Sequence, residues 1–168
     1  DLAGVDEVGR GSLAGPVIAS AVILPPIIKI HNLKDSKKLT DIKRRELSNI
    51  IKKKSIAYSI GSASSVEIDI LNIFNASFLA MKRAINNLKI KPDFVLLDGF
   101  NIPELKINNN GIVNGDNRFL TISAASIYAK VFRDDLMINL SKKYKNYNFA
   151  SNKGYGTKEH IENISKYY

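Results

Sequence analysis

The stretch Leu2-Ala3-Gly4-Val5-Asp6-Glu7-Val8-Gly9-Arg10-Gly11, with the apolar run 17–24 behind Pro16, decides how this chain is read. Residues 2–8 read as a strand with polar residues at its end. Gly9-Arg10-Gly11 is a glycine-rich turn, and residues 17–24 (VIASAVIL), bounded by Pro16 and Pro25, form the returning hairpin partner. Asp6 and Glu7 stand inside what otherwise reads as core strand. Folding alone would not choose charges there, because burying an unpaired charge is costly. Adjacent strand residues face opposite sides of a sheet unless a strand end or bulge re-aims one, which Gly9 and Gly11 permit.

Outward from this hairpin, residues 32–38 read as a polar loop. Thr40 or Asp41 caps a helix to about Lys53, with Ile42, Leu47, Ile50 and Ile51 on one face. Residues 55–61 read as a third strand, and the serine cluster 62–65 caps a short helix. Asn75 or Ser77 opens a longer helix through Leu88. Past Pro92, residues 93–99 (DFVLLDG) are a buried strand closing on Asp98-Gly99. Residues 101–114 read as a loop or weak hairpin turning at Gly111. Residues 123–140 have helical spacing, with Ala124, Ile127, Ala129, Val131, Leu136 and Ile138 available to a core. An aromatic, Asn- and Lys-rich loop covers 142–157, and a last helix begins after Thr157. Three consecutive antiparallel strands followed by strand–helix alternation predict an α/β domain with a mixed central sheet. With no repeat or long linker in 168 residues, one domain is expected.

The chain has no cysteine, which excludes disulfides and thiolate metal sites, so any metal is held by oxygen or by His31 and His160. The run 13–28 is broken by Gly15, Pro16, Pro25 and Pro26 and cannot span a bilayer as a helix. No signal pattern stands at the N-terminus, so a cytoplasmic protein is expected. Nothing resembles a dimerisation stripe, and a monomer is expected. The 25 Lys and Arg against 16 Asp and Glu give a net charge of +9. A polyanionic partner accounts for that excess; so does a compositional bias toward Lys, Ile and Asn.

Four acids carry the candidate chemistry. Asp6 and Glu7 close the first strand, Asp98 closes the run 94–97, and Asp116 sits in Asn114-Gly115-Asp116 ahead of the long helix. The ends of strands in open α/β sheets are where ligands bind. Carboxylates brought together repel one another and resist ionising unless a cation joins them, and hard ions such as Mg²⁺ or Mn²⁺ meet that need. Two such ions serve phosphodiester cleavage. Each acid also has a structural reading: Asp116 as a helix or turn cap, Asp98-Gly99 as a turn dipeptide. The turn Gly9-Arg10-Gly11 lets a backbone approach a ligand closely and offers Arg10 to a phosphate, but it also reads as an ordinary tight turn. In Asn152-Lys153-Gly154-Tyr155-Gly156-Thr157, a tyrosine between glycines suits stacking on a sugar or base. Tyr144, Tyr147 and Phe149 precede it, and Phe149 reads rather as an anchor of the loop. His160 reads as a packing or phosphate-contact residue.

Taken in order, these blocks resemble the ribonuclease HII family: residues 4–17 with DEVGRG, Leu33-Lys34-Asp35-Ser36-Lys37-Lys38-Leu39, Leu97-Asp98-Gly99, Gly115-Asp116, Ser123-Ala124-Ala125-Ser126-Ile127 to Arg133-Asp134, and NKGYGT at 152–157. The resemblance implies an RNase H-like fold with a mixed five-stranded sheet flanked by helices. It implies a metal site on Asp6, Glu7, Asp98 and Asp116, and Mg²⁺ or Mn²⁺ as cofactor. It implies cleavage of RNA–DNA hybrids and of DNA with embedded ribonucleotides, 5′ of the ribonucleotide, leaving 3′-hydroxyl and 5′-phosphate ends. By the same resemblance Gly9, Arg10 and Gly11 read the 2′-hydroxyl, Tyr155 stacks on the neighbouring sugar, and Lys37, Asn152 and Lys153 touch substrate. Family members ordinarily continue past the last helix into a basic tail, whereas this sequence stops at Tyr168, so affinity carried by such a tail is not expected of it. Asp134, inside a helix, is expected to form a structural ion pair. The rival readings are another nuclease of the same superfold and a basic, noncatalytic nucleic-acid-binding protein.

Overall fold

The computed structural model describes residues 1–33 and 38–168. β1 (Leu2–Val8) and β2 (Val17–Ile23) form the expected antiparallel hairpin, with Val5 opposite Ala21 and Asp6 opposite Ser20. β3 (Ala57–Ala63) pairs antiparallel on the far side of β2, while β4 (Phe94–Asp98) lies parallel to β1. β5 (Asn108–Ile112) adds in parallel to β4, completing a five-stranded sheet of order β3-β2-β1-β4-β5. The mixed sheet expected from the sequence pattern is present, with the five strands that the resemblance implies.

Helices cover both faces. The interval 41–54 is helical because Thr40 accepts from the Lys43 amide, Asp41 sits in the first turn and three lysines end the last. This helix, α1 (Asp41–Lys54), buries Leu47, Ser48 and Ile51. Ile42 and Ile50 remain exposed, contrary to the expected face, because only a narrow stripe of α1 meets the long helix. α2 (Ser65–Leu71) begins at Ser64 with a full capping box to Glu67. α3 (Ile73–Asn86) is capped by Asn72, earlier than the expected Asn75 or Ser77; Asn72 adopts φ 68°, and its side chain accepts from the Asn75 amide. α3 packs Ala76, Ala80, Met81, Ala84 and Ile85 on the sheet face that carries Ala3, Val5, Ala19 and Ala21.

α4 (Leu120–Lys143) crosses the other face and starts three residues before the expected Ser123. Its passage depends on Gly4. A Cβ at that position would lie 2.2 Å from the Thr121 carbonyl carbon and 2.4 Å from the Ile122 nitrogen. Of the positions expected to face the core, Ala124, Ile127, Ala129 and Val131 are buried, whereas Leu136 and Ile138 are only half-buried. Single-turn α5 (Phe149–Asn152) interrupts the expected loop, and α6 (Lys158–Tyr167) follows, capped by Thr157. Phe149 anchors that region, buried against Tyr144, Tyr147 and His160.

The interval expected to be a loop or weak hairpin, 101–114, contains β5 instead. Its sequence NNNGI has little strand propensity. Pairing with β4 imposes the conformation, and Asn109 completes it by accepting from the Ile102 amide and donating to the Ile102 and Ile107 carbonyls. Gly111 lies within the strand rather than at a turn, because the Phe100 backbone passes over it. Among the described residues no helix is long and apolar enough to cross a membrane.

Candidate active site

The carboxyl ends of β1 and β4 lie side by side. Asp6 and Asp98 each follow the paired positions Val5 and Leu97, so the parallel register itself sets two acids next to each other. Asp6 is buried and shares its face of β1 with Gly4, toward α4; Glu7, the next residue, is largely covered. The Glu7 amide donates to Asp6 Oδ1 at 2.7 Å. The third segment is tied in by the Gly115 amide, which donates to Asp98 Oδ1 at 2.6 Å. Asp116 follows in a 3-10 turn at the foot of α4, with its carbonyl accepting from the Ser123 hydroxyl. Asp116 is buried as well.

The electrostatics match this crowding. Burial, then the negative charges of Glu7 and Asp98, hold the Asp6 carboxyl well above its usual range, with partial relief from a Ser126 hydroxyl and the Glu7 amide. Glu7 is raised by burial too; the nearby Arg10 guanidinium opposes the shift, and Asp98 adds to it. Arg10 Nη1 donates to Glu7 Oε1 at 3.2 Å, while Glu7 Oε2 is buried with no hydrogen-bond partner among the described residues. A buried carboxylate oxygen without a donor, beside acids that raise one another, fits an oxygen-seeking divalent cation. As the side chains stand, however, no three acids or histidines among the described residues converge into a metal-ligand group. The fold gathers the acids at one end of the sheet without closing them into a cage.

Ser126 stands in a block that carries the resemblance, but the sequence reading gave it no role. It gave none to Arg133 either. Arg133 lies at i+4 from Ala129 and i−4 from Met137, and all three are fully buried. An arginine in the middle of an apolar helical stripe was the available signal.

Of the expected substrate-contact residues, the Gly9–Arg10–Gly11 turn follows Asp6 and Glu7 directly, and Arg10 reaches Glu7. Gly9 has φ 100°, and a Cβ there would lie 2.5 Å from Arg133 Nε and 2.9 Å from the Pro16 carbonyl oxygen. Gly11 faces open space, so the turn offers its backbone on one side only. Arg10 is exposed and lies over the Phe74 ring at 5.9 Å. Tyr155 is half-buried, with Lys130 and Arg133 at 5.6 and 5.3 Å from its ring centre. Lys153 is half-buried, with its ammonium on the Ala150 carbonyl. Asn152 is turned inward: its amide donates to the Tyr147 carbonyl at 2.7 Å and accepts from the Gly154 amide at 2.8 Å. Its side chain therefore shapes the loop. Lys37 lies outside the described residues. His160 is fully buried with Nδ1 2.8 Å from the Tyr155 carbonyl, which makes it a packing residue. Asp134 pairs with Lys130 at 3.0 Å, the expected structural ion pair.

The mixed five-stranded sheet flanked by helices, with acids at the carboxyl ends of its central parallel strands, places the chain in the RNase H-like fold class. Within that class the chain belongs to the ribonuclease HII family, whose family model, described as Ribonuclease HII, matches residues 3–168. A relative named Ribonuclease HII from Caldicellulosiruptor bescii is 54% identical over 99% of this chain and 81% of its own length. One of the same name from Desulfitobacterium hafniense is 54% identical over 95% of this chain, which spans 62% of that protein. Among solved structures, the ribonuclease H2 of Pyrococcus horikoshii superposes with a TM-score of 0.81 at 28% identity, covering 99% of this chain and 86% of that one.

Proposed function

We propose that this chain is an endonuclease that hydrolyses the RNA strand of RNA–DNA hybrids and nicks 5′ of ribonucleotides embedded in duplex DNA, leaving 5′-phosphate and 3′-hydroxyl ends. The observation that carries the reading is one contact. The Leu13 and Ala14 amides both donate to the Gly154 carbonyl, at 2.8 and 3.2 Å, which joins the segment just after the Gly9–Arg10–Gly11 turn to the loop of Tyr155. In this reading the acids are flanked by a close-approach backbone and an aromatic ring, which suits recognition of the 2′-hydroxyl that separates RNA from DNA.

In this reading Asp6, Glu7, Asp98 and Asp116 hold Mg²⁺ or Mn²⁺. Two such ions, when bound, supply Lewis acidity to the scissile phosphate and lower the pKa of the attacking water. The remaining work belongs to the chain. Gly9 and Gly11 present main-chain groups to the 2′-hydroxyl, and Arg10 and Lys153 neutralise phosphates, as does Lys37. Tyr155 lies against the neighbouring sugar, and Asn152 holds its loop in shape. The excess of cations over anions supplies the sequence-independent part of duplex affinity. The chain acts as one catalytic domain, as a monomer and in the cytoplasm, in removing ribonucleotides from DNA and serving replication.

The test is incubation with Mg²⁺ or Mn²⁺ and a duplex carrying one ribonucleotide. A nick 5′ of that residue, with none in the all-DNA duplex, is expected. Cleavage of four-way junctions alone would assign the chain to a different nuclease activity, and binding without cleavage would make it a noncatalytic nucleic-acid-binding protein.

A further inference from the structure

Arg133 is fully buried in the middle of α4, yet among the described residues it forms no ion pair with a carboxylate: Asp134, the next residue, pairs with Lys130 instead. Its guanidinium donates to neutral acceptors on two different loops. Nε reaches the Pro16 carbonyl at 3.0 Å, Nη2 the Ala14 carbonyl at 3.0 Å and the Ser12 hydroxyl at 2.9 Å, and Nη1 the Lys153 carbonyl at 2.7 Å. Ser12 relays the contact, since its hydroxyl donates onward to the Gly9 carbonyl at 2.8 Å. One planar fork thus ties the segment behind the glycine-rich turn to the loop that carries Tyr155.

The two loops meet under constraint. Lys153 holds the left-handed conformation at φ 52°, followed by Gly154 at φ 86°. A side chain on Gly154 would lie 2.3 Å from the Ala14 carbonyl oxygen. A non-glycine residue stays in that backbone region only where its surroundings over-determine it. Here the Lys153 carbonyl is aimed at Nη1, and the Gly154 carbonyl receives Leu13 and Ala14. Separation of the loops would strip a buried cation of its acceptors, which is strongly disfavoured. The Arg133 guanidinium also lies 5.3 Å from the Tyr155 ring centre, so the same group orients the ring.

We propose that Arg133 is a positioning residue that sets the spacing between the Gly9–Ser12 turn and the Tyr155 loop, and through it the grip on a single ribose. The inference rests on the function proposed above. A lysine cannot replace this group, because one ammonium cannot address acceptors spread over two loops.

The experiment compares wild type, Arg133→Lys, Tyr155→Ala and the double variant on a duplex with one ribonucleotide. Melting temperature and Mn²⁺ binding by paramagnetic resonance are measured alongside. Arg133→Lys is expected to keep its fold and Mn²⁺ affinity and to lose roughly tenfold or more in kcat/KM. In the Tyr155→Ala background the same change is expected to cost no more than about twofold, since both act on one contact. Equal losses in both backgrounds, wild-type activity in Arg133→Lys, or a fall in Mn²⁺ affinity that accounts for the loss would each overturn the proposal. If Arg133→Lys fails to fold, Ser12→Ala decides instead, by cutting the relay to Gly9 while three carbonyl contacts remain. A loss of about threefold that vanishes in the Tyr155→Ala background supports the proposal, and any other pattern overturns it. Absence of nicking by the wild type would overturn the proposed function, and this inference with it; nicking by the wild type with independent losses in the variants removes the inference alone.

Discussion

The Gly115 amide donates a 2.6 Å hydrogen bond to Oδ1 of Asp98, so the turn that carries Asp116 is fastened to the strand that carries Asp98. This bond adds to the β4–β5 pairing, in which the Gly99 amide donates to the Ile112 carbonyl at 3.0 Å, in bringing the two segments to one end of the sheet. Asp98 therefore has a structural contact as well as a proposed chemical role, and substitution separates the two.

Asp98→Asn keeps an oxygen that can accept from Gly115 but removes the charge that raises Asp6 and Glu7. Cleavage is expected to fall by at least about a hundredfold, while the melting temperature in EDTA is unchanged or higher. A clear drop of the melting temperature in EDTA would make Asp98 a residue that holds the fold together.

The raised Asp6 carboxyl makes metal-free stability depend on pH. Its folded pKa lies above the ordinary value of 3.8, so the folded state holds the proton more tightly than the unfolded chain. The stabilisation is complete below that value and is lost as the pH rises through the folded pKa. In EDTA the melting temperature is expected to decline on this account as the pH climbs from about 4, and Mg²⁺ or Mn²⁺ to reverse the trend. Glu67, at the start of α2, acts in the opposite sense. Its carboxyl, hydrogen-bonded to Arg83, is lowered to about 2, and that stability disappears only as the pH falls from 4.5 toward it. Thermal scans across pH, with and without metal, measure both limbs.

Tyr155→Ala removes a half-buried ring that touches cations on α4 rather than the core. Cleavage at one embedded ribonucleotide is expected to fall by roughly tenfold to a hundredfold, the worth of a stacking contact, with little change in melting temperature. Steady-state kinetics beside a thermal scan checks it, and unchanged kinetics would remove Tyr155 from the site.

Gly4→Ala places a methyl group inside the backbone of α4, 2.2 Å from the Thr121 carbonyl carbon. A loss of about 1–3 kcal/mol or more in denaturant unfolding is expected. Because α4 also carries Arg133 and packs on the Asp116 turn, activity should fall with it.

Much of this was legible along the chain. The hairpin β1–β2, the helix starts at Thr40 or Asp41 and after Thr157, and the strand ending at Asp98 are local patterns of alternation, capping and turn chemistry, and local patterns survive in one dimension. The acids stood out because each interrupts or ends an apolar run. β5 was not legible, since NNNGI has no strand signature and is extended only because β4 offers it an edge. The start of α3 was displaced because Asn72 caps from a positive-φ conformation that spacing does not announce.

By itself the sequence determined which residues are available: acids at strand ends, two glycines beside them, and a tyrosine between glycines near the C-terminus. Only the tertiary structure decided that the glycine-rich turn and the tyrosine loop share one buried guanidinium, that Asn152 faces inward, and that Asp98 holds the Asp116 turn. The fork joins Arg133 to Ser12 and Ala14, 121 and 119 positions away, while Asn152 and Asp98 meet partners only 5 and 17 positions away through the way the loops fold back. Which buried donor meets which acceptor is settled when the layers pack, because a buried polar group must find its partner in space rather than in sequence.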